Sequence, residues 1–92
     1  MSYHVYILQL NNSKRYTGSC SNISRRVAEH QRGRVKSTKS LLPIKLLLVE
    51  TYLCKSDAQR REKFLKTTEG KRLLKQQIRD TLEITSSNGE VA

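Results

Sequence analysis

A chain of 92 residues is long enough for one small domain with a single hydrophobic core and too short to divide that core between two. Its 18 Lys and Arg against 8 Asp and Glu give a formal net charge of +10, which favours a polyanionic partner, with a merely solubilising surface as the alternative. No apolar run approaches the ~18 residues of a membrane span and no signal peptide opens the chain, so we expect a cytoplasmic protein without a membrane partner.

The first predicted elements form a β-hairpin that carries two tyrosines. Residues 3–10 are a nearly continuous run of β-branched, aromatic and aliphatic types, which predicts a strand covered on both faces. Residues 11–13 supply turn chemistry, and residues 14–20 return as a shorter, more polar strand. A three-residue loop places Tyr6 and Tyr16 on one face of the sheet, whereas a two-residue loop places their rings on opposite faces.

A helix is predicted next, over residues 23–33, with Asn22 or the serine before it as the N-cap. Arg26 and His30 are four residues apart on this helix, so they project from one face and could reach the same ligand. Arg25 lies about 100° further round, where we expect it to meet solvent or a distant phosphate.

Residues 32–43 form a long, cationic connection that we predict to contact nucleic acid. The basic balance is uneven, because residues 1–54 hold nine basic and two acidic side chains and residues 55–92 hold nine and six. The side chains predicted to bind nucleic acid are Lys14, Arg25, Arg32, Arg34, Lys36, Thr38 and Lys39.

The remaining chain predicts one strand, two helices and a tail. Residues 44–53 are rich in Leu and Val and read as a third strand. A capping box of Ser56 and Gln59 opens a helix over residues 56–66, and a second helix follows over residues 69–82. Residues 83–92 are polar and without periodicity, which predicts a flexible tail.

Glu62 falls four residues after Ala58, on the apolar stripe of the first of these two helices. An isolated buried charge is expensive, so this carboxylate must be paired, hydrogen-bonded, metal-bound or at the mouth of a cleft. A salt bridge to a nearby Lys or Arg is one interpretation. The other is a Mg²⁺ ligand, since Mg²⁺ binds to one or two carboxylates together with water and phosphate oxygens.

From Tyr3 to about Lys75 the chain resembles the GIY-YIG nucleases, in particular their small single-domain bacterial members. The stretches that carry the resemblance are His4-Val5-Tyr6, Tyr16-Thr17-Gly18-Ser19, Ser24-Arg25-Arg26-Val27-Ala28-Glu29-His30, Pro43-Ile44-Lys45-Leu46 and Ala58-Gln59-Arg60-Arg61-Glu62. Departures from the family's pattern are His4 in place of Gly and Thr17 in place of Ile. The resemblance implies an α/β (α+β) fold over residues 1–82, with a small three-stranded antiparallel sheet flanked by about three helices.

The resemblance also implies a metal-dependent endonuclease that hydrolyses DNA phosphodiester bonds with low sequence specificity, in repair, recombination or processing. The family's functional positions fall on Tyr6, Tyr16, Arg26, His30 and Glu62, which are expected to form one site. In that site Glu62 holds Mg²⁺ or Mn²⁺ and Arg26 neutralises developing charge. Tyr6 takes the proton of the attacking water and relays it to His30, while Tyr16 orients the reactants.

Two other functions remain open. The first is a catalytically inactive nucleic-acid-binding module of the same fold, although the intact set of five residues speaks against it. The second is an interaction domain whose last predicted helix docks a partner through Leu73, Leu74 and Ile78. We expect DNA rather than RNA as the ligand, and the small size leaves room for a partner protein or a homodimer.

Overall fold

Three strands and four α-helices make up the structure, a computed structural model that describes residues 2–86. The elements in chain order are β1 (Tyr3–Gln9), β2 (Arg15–Cys20), α1 (Ile23–Gln31), β3 (Lys45–Tyr52), α2 (Lys55–Leu65), α3 (Thr68–Gln77) and α4 (Arg79–Ser86). The strands form one antiparallel sheet in the order β2-β1-β3, so β1 is central, as predicted, and β2 is an edge strand. No helix within residues 2–86 is long and apolar enough to cross a membrane.

The register of the hairpin places both tyrosines on one face. Tyr16 lies opposite Leu8, and the backbone N–H of Leu10 donates to the Lys14 carbonyl at 2.8 Å, which closes the three-residue loop. Ser13 in this loop adopts a left-handed conformation with φ 69°. The ring centroids of Tyr6 and Tyr16 are 6.3 Å apart, so the prediction from the three-residue loop is confirmed.

The sheet has two covered faces, because side chains alternate along β1. Tyr6 and Leu8 pack with α1 on one face, which we call the α1 face. Val5 and Ile7 pack on the opposite face with residues of α2 and α3, including Leu65, and we call this the α2 face. All four β1 side chains are at most 1% exposed, which accounts for the unbroken apolar run of this strand.

The helix caps agree with the sequence at α1 and differ at α2. The Asn22 side chain accepts from the backbone N–H of Arg25 at 3.0 Å, as the predicted N-cap requires. The capping box predicted from Ser56 and Gln59 is wrong, because α2 begins one residue earlier and Cys54 occupies its N-cap without a side-chain hydrogen bond.

The predicted helix over residues 69–82 is two helices. Ile78, with φ −112° and ψ 34°, ends α3, and α4 continues the chain to Ser86. The change of direction allows both the buried Ile78 and the later Leu82 to pack against the α2 face. Residues 83–86, predicted as part of a tail, are therefore helical, and residues 87–92 of that predicted tail lie outside the described residues.

Candidate functional site

A buried chain of hydrogen bonds links Tyr6 to His30 and His30 to Thr38 on the α1 face. The Tyr6 hydroxyl lies 2.9 Å from His30 Nε2, and His30 Nδ1 lies 2.8 Å from the Thr38 hydroxyl. All three residues are at most 1% exposed. Burial, aided by the nearby positive charge of Arg26 and opposed by Glu29, lowers the pKa of His30. A neutral imidazole has one donor and one acceptor, so it pairs with both hydroxyls in either tautomer.

Arg26 reaches the same phenol from α1. Its Nε–H donates to the Tyr6 hydroxyl at 3.3 Å, and its Nη1 donates to Glu29 Oε1 at 3.0 Å. The Arg26 side chain is 36% exposed, so part of the guanidinium faces solvent while Nε and Nη1 are hydrogen-bonded to Tyr6 and Glu29. Arg26 and His30 therefore converge on one atom, as their four-residue spacing predicts.

Tyr6 is poorly suited to take a proton. Burial raises the pKa of Tyr6 to about 12, and the hydrogen bond from Arg26 offsets this only in part. The phenol is 1% exposed and its oxygen is engaged by both Arg26 and His30. The expectation that Tyr6 is the general base is therefore not supported, because desolvation outweighs the charge that was expected to activate it.

Tyr16 is the more accessible of the two tyrosines. It is half-buried, and its ring centroid lies 5.1 Å from that of His30 in an edge-on arrangement. Aromatic packing of this kind orients the ring without sealing it from water.

Glu62 lies on the α2 face and is held by two donors. The Ser19 hydroxyl donates to Glu62 Oε1 at 2.5 Å, and Lys66 Nζ donates to Oε2 at 2.9 Å. Burial raises the pKa of Glu62, but these hydrogen bonds outweigh it and the net pKa is lowered. The carboxylate is thus ionised at neutral pH, and the salt bridge that the sequence left open is present.

Glu62 could bind a divalent cation only if the substrate supplies further ligands. No group of three or more His, Cys, Asp and Glu side chains able to hold a metal occurs within residues 2–86. Mg²⁺ nevertheless binds through one carboxylate when water and phosphate oxygens supply its other ligands. Glu62, 21% exposed, meets that requirement once the Lys66 ammonium moves from Oε2.

The five side chains predicted to form one site are divided between the two faces. Tyr6, Tyr16, Arg26 and His30 lie together on the α1 face, while Glu62 reaches the sheet through Ser19 on the other face. Neighbouring residues of a strand point in opposite directions, and Ser19 follows Gly18, which lies opposite Tyr6. That all five side chains act in one site stays a prediction, and the alternation of β2 means that Glu62 would have to join the other four around this edge strand.

Glu62 itself lines a pocket on α2, and a separate cleft of about 210 Å³ lies at the end of β2. Arg26 of the α1 face and Ser19, the partner of Glu62, both line it, and so do Asn22 and Glu29. Because β2 is an edge strand, one ligand in this cleft can contact side chains from both faces.

One of the predicted nucleic-acid contacts is wrong. Thr38 is 0% exposed and its hydroxyl is paired with His30, so it cannot reach a phosphate. Arg25 is exposed and lies 3.6 Å from Glu29. For the other predicted side chains contact with nucleic acid stays a prediction; all of them are exposed, namely Lys14, Arg32, Arg34, Lys36 and Lys39.

Two contributors to the site, Ser19 and Glu29, were missed from the sequence, and Thr38 was assigned to nucleic acid when its partner is His30. A signal existed for the first two. Ser19 belongs to the Tyr16-Thr17-Gly18-Ser19 stretch, and Glu29 lies three residues after Arg26 on the same helix. Thr38 lies in a connection without periodicity, where no local pattern indicates which hydroxyl turns inward.

Comparison with known proteins was made on both sequence and structure. The GIY-YIG catalytic domain model matches residues 2–76. A UPF0213 protein of Staphylococcus epidermidis is 39% identical over 66 residues, covering 71% of this chain and 80% of that protein. A UPF0213 protein of Staphylococcus haemolyticus is 36% identical over 74 residues, covering 79% and 90%. The solution NMR structure of a UPF0213 protein from Bacillus halodurans is similar with a TM-score of 0.53 and 30% identity, covering 80% of this chain and 82% of that one.

Proposed function

Because this chain belongs to the GIY-YIG catalytic domain family, a family of nucleases, we propose that it is a divalent-metal-dependent endonuclease that hydrolyses phosphodiester bonds of DNA. The observation that carries the proposal is the cleft at the end of β2. Arg26, which is partly exposed, and Ser19, which holds an ionised carboxylate, both line this cleft, in a protein with a net charge of +10.

Arg26 is the residue best placed to bind the phosphate. Its guanidinium is fixed by Tyr6 on one side and Glu29 on the other, so its free edge is presented to the cleft without further ordering. A preorganised donor of this kind stabilises charge that develops on a phosphoryl oxygen. Tyr6 and His30 act in this proposal as positioning residues, since Tyr6 holds Arg26 and His30 holds Tyr6.

Tyr16 takes the role that the sequence assigned to Tyr6. A proton acceptor or a group that orients the attacking water must be reachable by that water, and Tyr16 is half-buried where Tyr6 is sealed. The packing of Tyr16 against His30 fixes the direction of its ring.

Glu62 would hold the divalent ion, Mg²⁺ or Mn²⁺, which when bound polarises the phosphate and stabilises the leaving oxygen. The Ser19 hydrogen bond ties the carboxylate to a residue that lines the cleft and helps to keep it ionised. Lys66 donates to the other carboxylate oxygen, Oε2, and must release it before a metal ion can bind there.

A second candidate function is a nucleic-acid-binding module without turnover. The observation in its favour is that both Glu62 oxygens are already paired, which is how a carboxylate that had lost its metal would be satisfied. The third function raised by the sequence, docking through Leu73, Leu74 and Ile78, finds little support, since Leu74 and Ile78 are 3% and 6% exposed in the core and only Leu73, 39% exposed, faces solvent.

The deciding experiment incubates the purified protein with supercoiled, branched and single-stranded DNA in Mg²⁺, Mn²⁺ or EDTA. We expect cleavage that requires the metal and is abolished in Glu62→Gln, with Glu69→Gln, an exposed carboxylate on α3, as the matched control. Preference for branched DNA would support a role in repair or recombination. If wild type and Glu62→Gln bind DNA equally and neither cleaves any substrate, the binding module is the correct function.

A further inference from the structure

A second basic groove lies on the α2 face, on the side of β2 away from Arg26. It has a volume of about 420 Å³, and the buried Leu65 and Leu74 form its apolar floor. Its rim consists of hydroxyl-bearing and cationic side chains, namely Ser13, Lys14, Arg15, Thr17 and Lys71. We call this feature the Lys71 groove.

Among the residues that the structure describes, the cations of the Lys71 groove have no acidic partner. Within residues 2–86, Lys14, Arg15 and Lys71 make no ion pair, whereas Arg72, the next residue on α3, is paired with Glu69 at 2.6 Å. None of the residues lining the groove, all in the described part of the chain, is acidic. Like charges gathered around a concave surface repel each other and raise the local concentration of anions, so the groove is suited to a polyanion.

The position of the groove relates it directly to Glu62. Arg15, Thr17 and Ser19 are alternate residues of β2, so their side chains follow one another along the α2 face. Ser19 donates to Glu62, and Arg15 is four residues away along the strand, at a distance of about 13 Å. A nucleic-acid strand covers that distance in a few nucleotides.

We propose that the Lys71 groove is a second phosphate-binding subsite, which holds the backbone of the substrate strand a few nucleotides from the bond at Glu62. This inference rests on the proposed function for its reference point, the cleaved bond. Arg15 and Lys71 supply the charge, and the Ser13 and Thr17 hydroxyls can donate to non-bridging oxygens. The contacts are to the backbone alone, so the subsite contributes affinity and register without reading sequence. Of its cations only Lys14 was predicted to bind nucleic acid, because Arg15 of β2 and Lys71 of α3 are brought to one groove only by the tertiary fold.

The test measures DNA affinity in EDTA, where no cleavage interferes, by fluorescence anisotropy over a series of salt concentrations. We expect Lys71→Gln and Arg15→Gln each to weaken binding by about three- to tenfold at about 100 mM salt and to reduce the salt slope by about one. Arg72→Gln, which removes the same charge from a neighbouring position outside the groove, should cause a smaller loss, and Lys71→Arg should restore affinity. If the groove variants bind like Arg72→Gln with an unchanged slope, the subsite does not exist.

A neutral phosphate gives a second, position-specific readout. Single methylphosphonate substitutions are placed one at a time along an oligonucleotide. At one position the substitution should weaken binding to wild type and leave the affinity of Lys71→Gln unchanged. If no position behaves in this way, so that each methylphosphonate weakens wild type and Lys71→Gln equally, the proposal is overturned even if Lys71→Gln has a lower affinity. Failure of the proposed function is distinguishable: a protein that cleaves nothing but shows this coupling retains the subsite as part of a binding module.

Discussion

The phenol oxygen of Tyr6 lies directly over Gly18, its partner across the β1–β2 ladder. A Cβ atom on Gly18 would stand 2.5 Å from that oxygen and 2.6 Å from Cζ of the same ring. Real side chains do not approach this closely, so the ring reaches His30 and Arg26 only because residue 18 has no side chain. The glycine of the Tyr16-Thr17-Gly18 stretch is therefore a steric requirement of the site.

Gly18→Ala should destabilise the protein by about 1–3 kcal/mol, because the added methyl group must displace a ring that is packed on all sides. Urea unfolding of the single variant and of Gly18→Ala combined with Tyr6→Phe measures the effect. The double variant removes the atom closest to the new methyl group, so its cost should be less than the sum of the two single costs. Strict additivity would show that Tyr6 is not what residue 18 has to accommodate.

Tyr6→Phe and Tyr16→Phe should separate stability from turnover. Removing the Tyr6 hydroxyl leaves the buried His30 without a partner at Nε2, which should cost about 1–3 kcal/mol of unfolding free energy. The half-buried Tyr16 should lose less than about 0.5 kcal/mol on the same change. Cleavage rates should show the reverse order, with a loss of about 100-fold or more for Tyr16→Phe. A folded Tyr6→Phe protein with the greater loss of rate would restore Tyr6 as the base.

Stability should fall as the pH drops below the ordinary range of a histidine. The pKa of the buried His30 is lowered in the folded state, while in the unfolded chain it is about 6.5. Below that pH the unfolded state binds more protons than the folded state, so the free energy of unfolding decreases on acidification. The contribution of the neutral His30 to stability is therefore complete only above the unfolded pKa. The groups facing His30 are Tyr6, Tyr16, Arg26, Glu29 and Thr38, of which Glu29 opposes the shift.

Unfolding free energies between pH 5 and 8 for wild type and His30→Gln test this directly. Other groups titrate in both proteins, so the difference between the two curves isolates His30. We expect a smaller pH dependence in the variant, and parallel curves would mean that His30 is protonated as easily in the folded protein as in the unfolded chain.

The parts of the site that the sequence predicted depend on local geometry. A three-residue loop fixes which tyrosines share a face, and a four-residue spacing fixes that Arg26 and His30 share a side of α1. Both rules act within one element or between adjacent elements, where the period of the backbone decides the outcome. The N-cap at Asn22 follows from the same kind of reasoning.

The parts that could not be predicted depend on packing between distant elements. Glu62 is 43 residues from Ser19, and nothing in the helical stripe of α2 shows which face of the sheet that stripe covers. Because a strand alternates, a choice between two faces decides whether Glu62 joins Tyr6 or lies across the sheet from it. The end of α3 at Ile78 has the same origin, because the change of direction there is stabilised only by the tertiary burial of Ile78 and Leu82.

Lys66→Gln should increase the affinity of Glu62 for a divalent ion. The Lys66 ammonium donates to Glu62 Oε2 at 2.9 Å, so it competes with a cation for the same oxygen. Removing it should lower the half-saturating Mn²⁺ concentration by about threefold or more, since a charge-assisted hydrogen bond no longer has to be broken. Titration calorimetry with Mn²⁺ in the presence of a non-cleavable DNA analogue, whose phosphates complete the site, measures this without any requirement for activity. The metal dependence of cleavage should shift in the same direction.

Lys63→Gln is the matched control, because Lys63 lines the same surface of α2 and is exposed. It removes the same unit of positive charge without breaking the hydrogen bond to Glu62. If both variants change the Mn²⁺ affinity equally, the effect is that of net charge and Lys66 is not a competitor. If Lys66→Gln instead weakens Mn²⁺ binding, Lys66 orients the carboxylate for the metal, and the binding module gains no support from the paired state of Glu62.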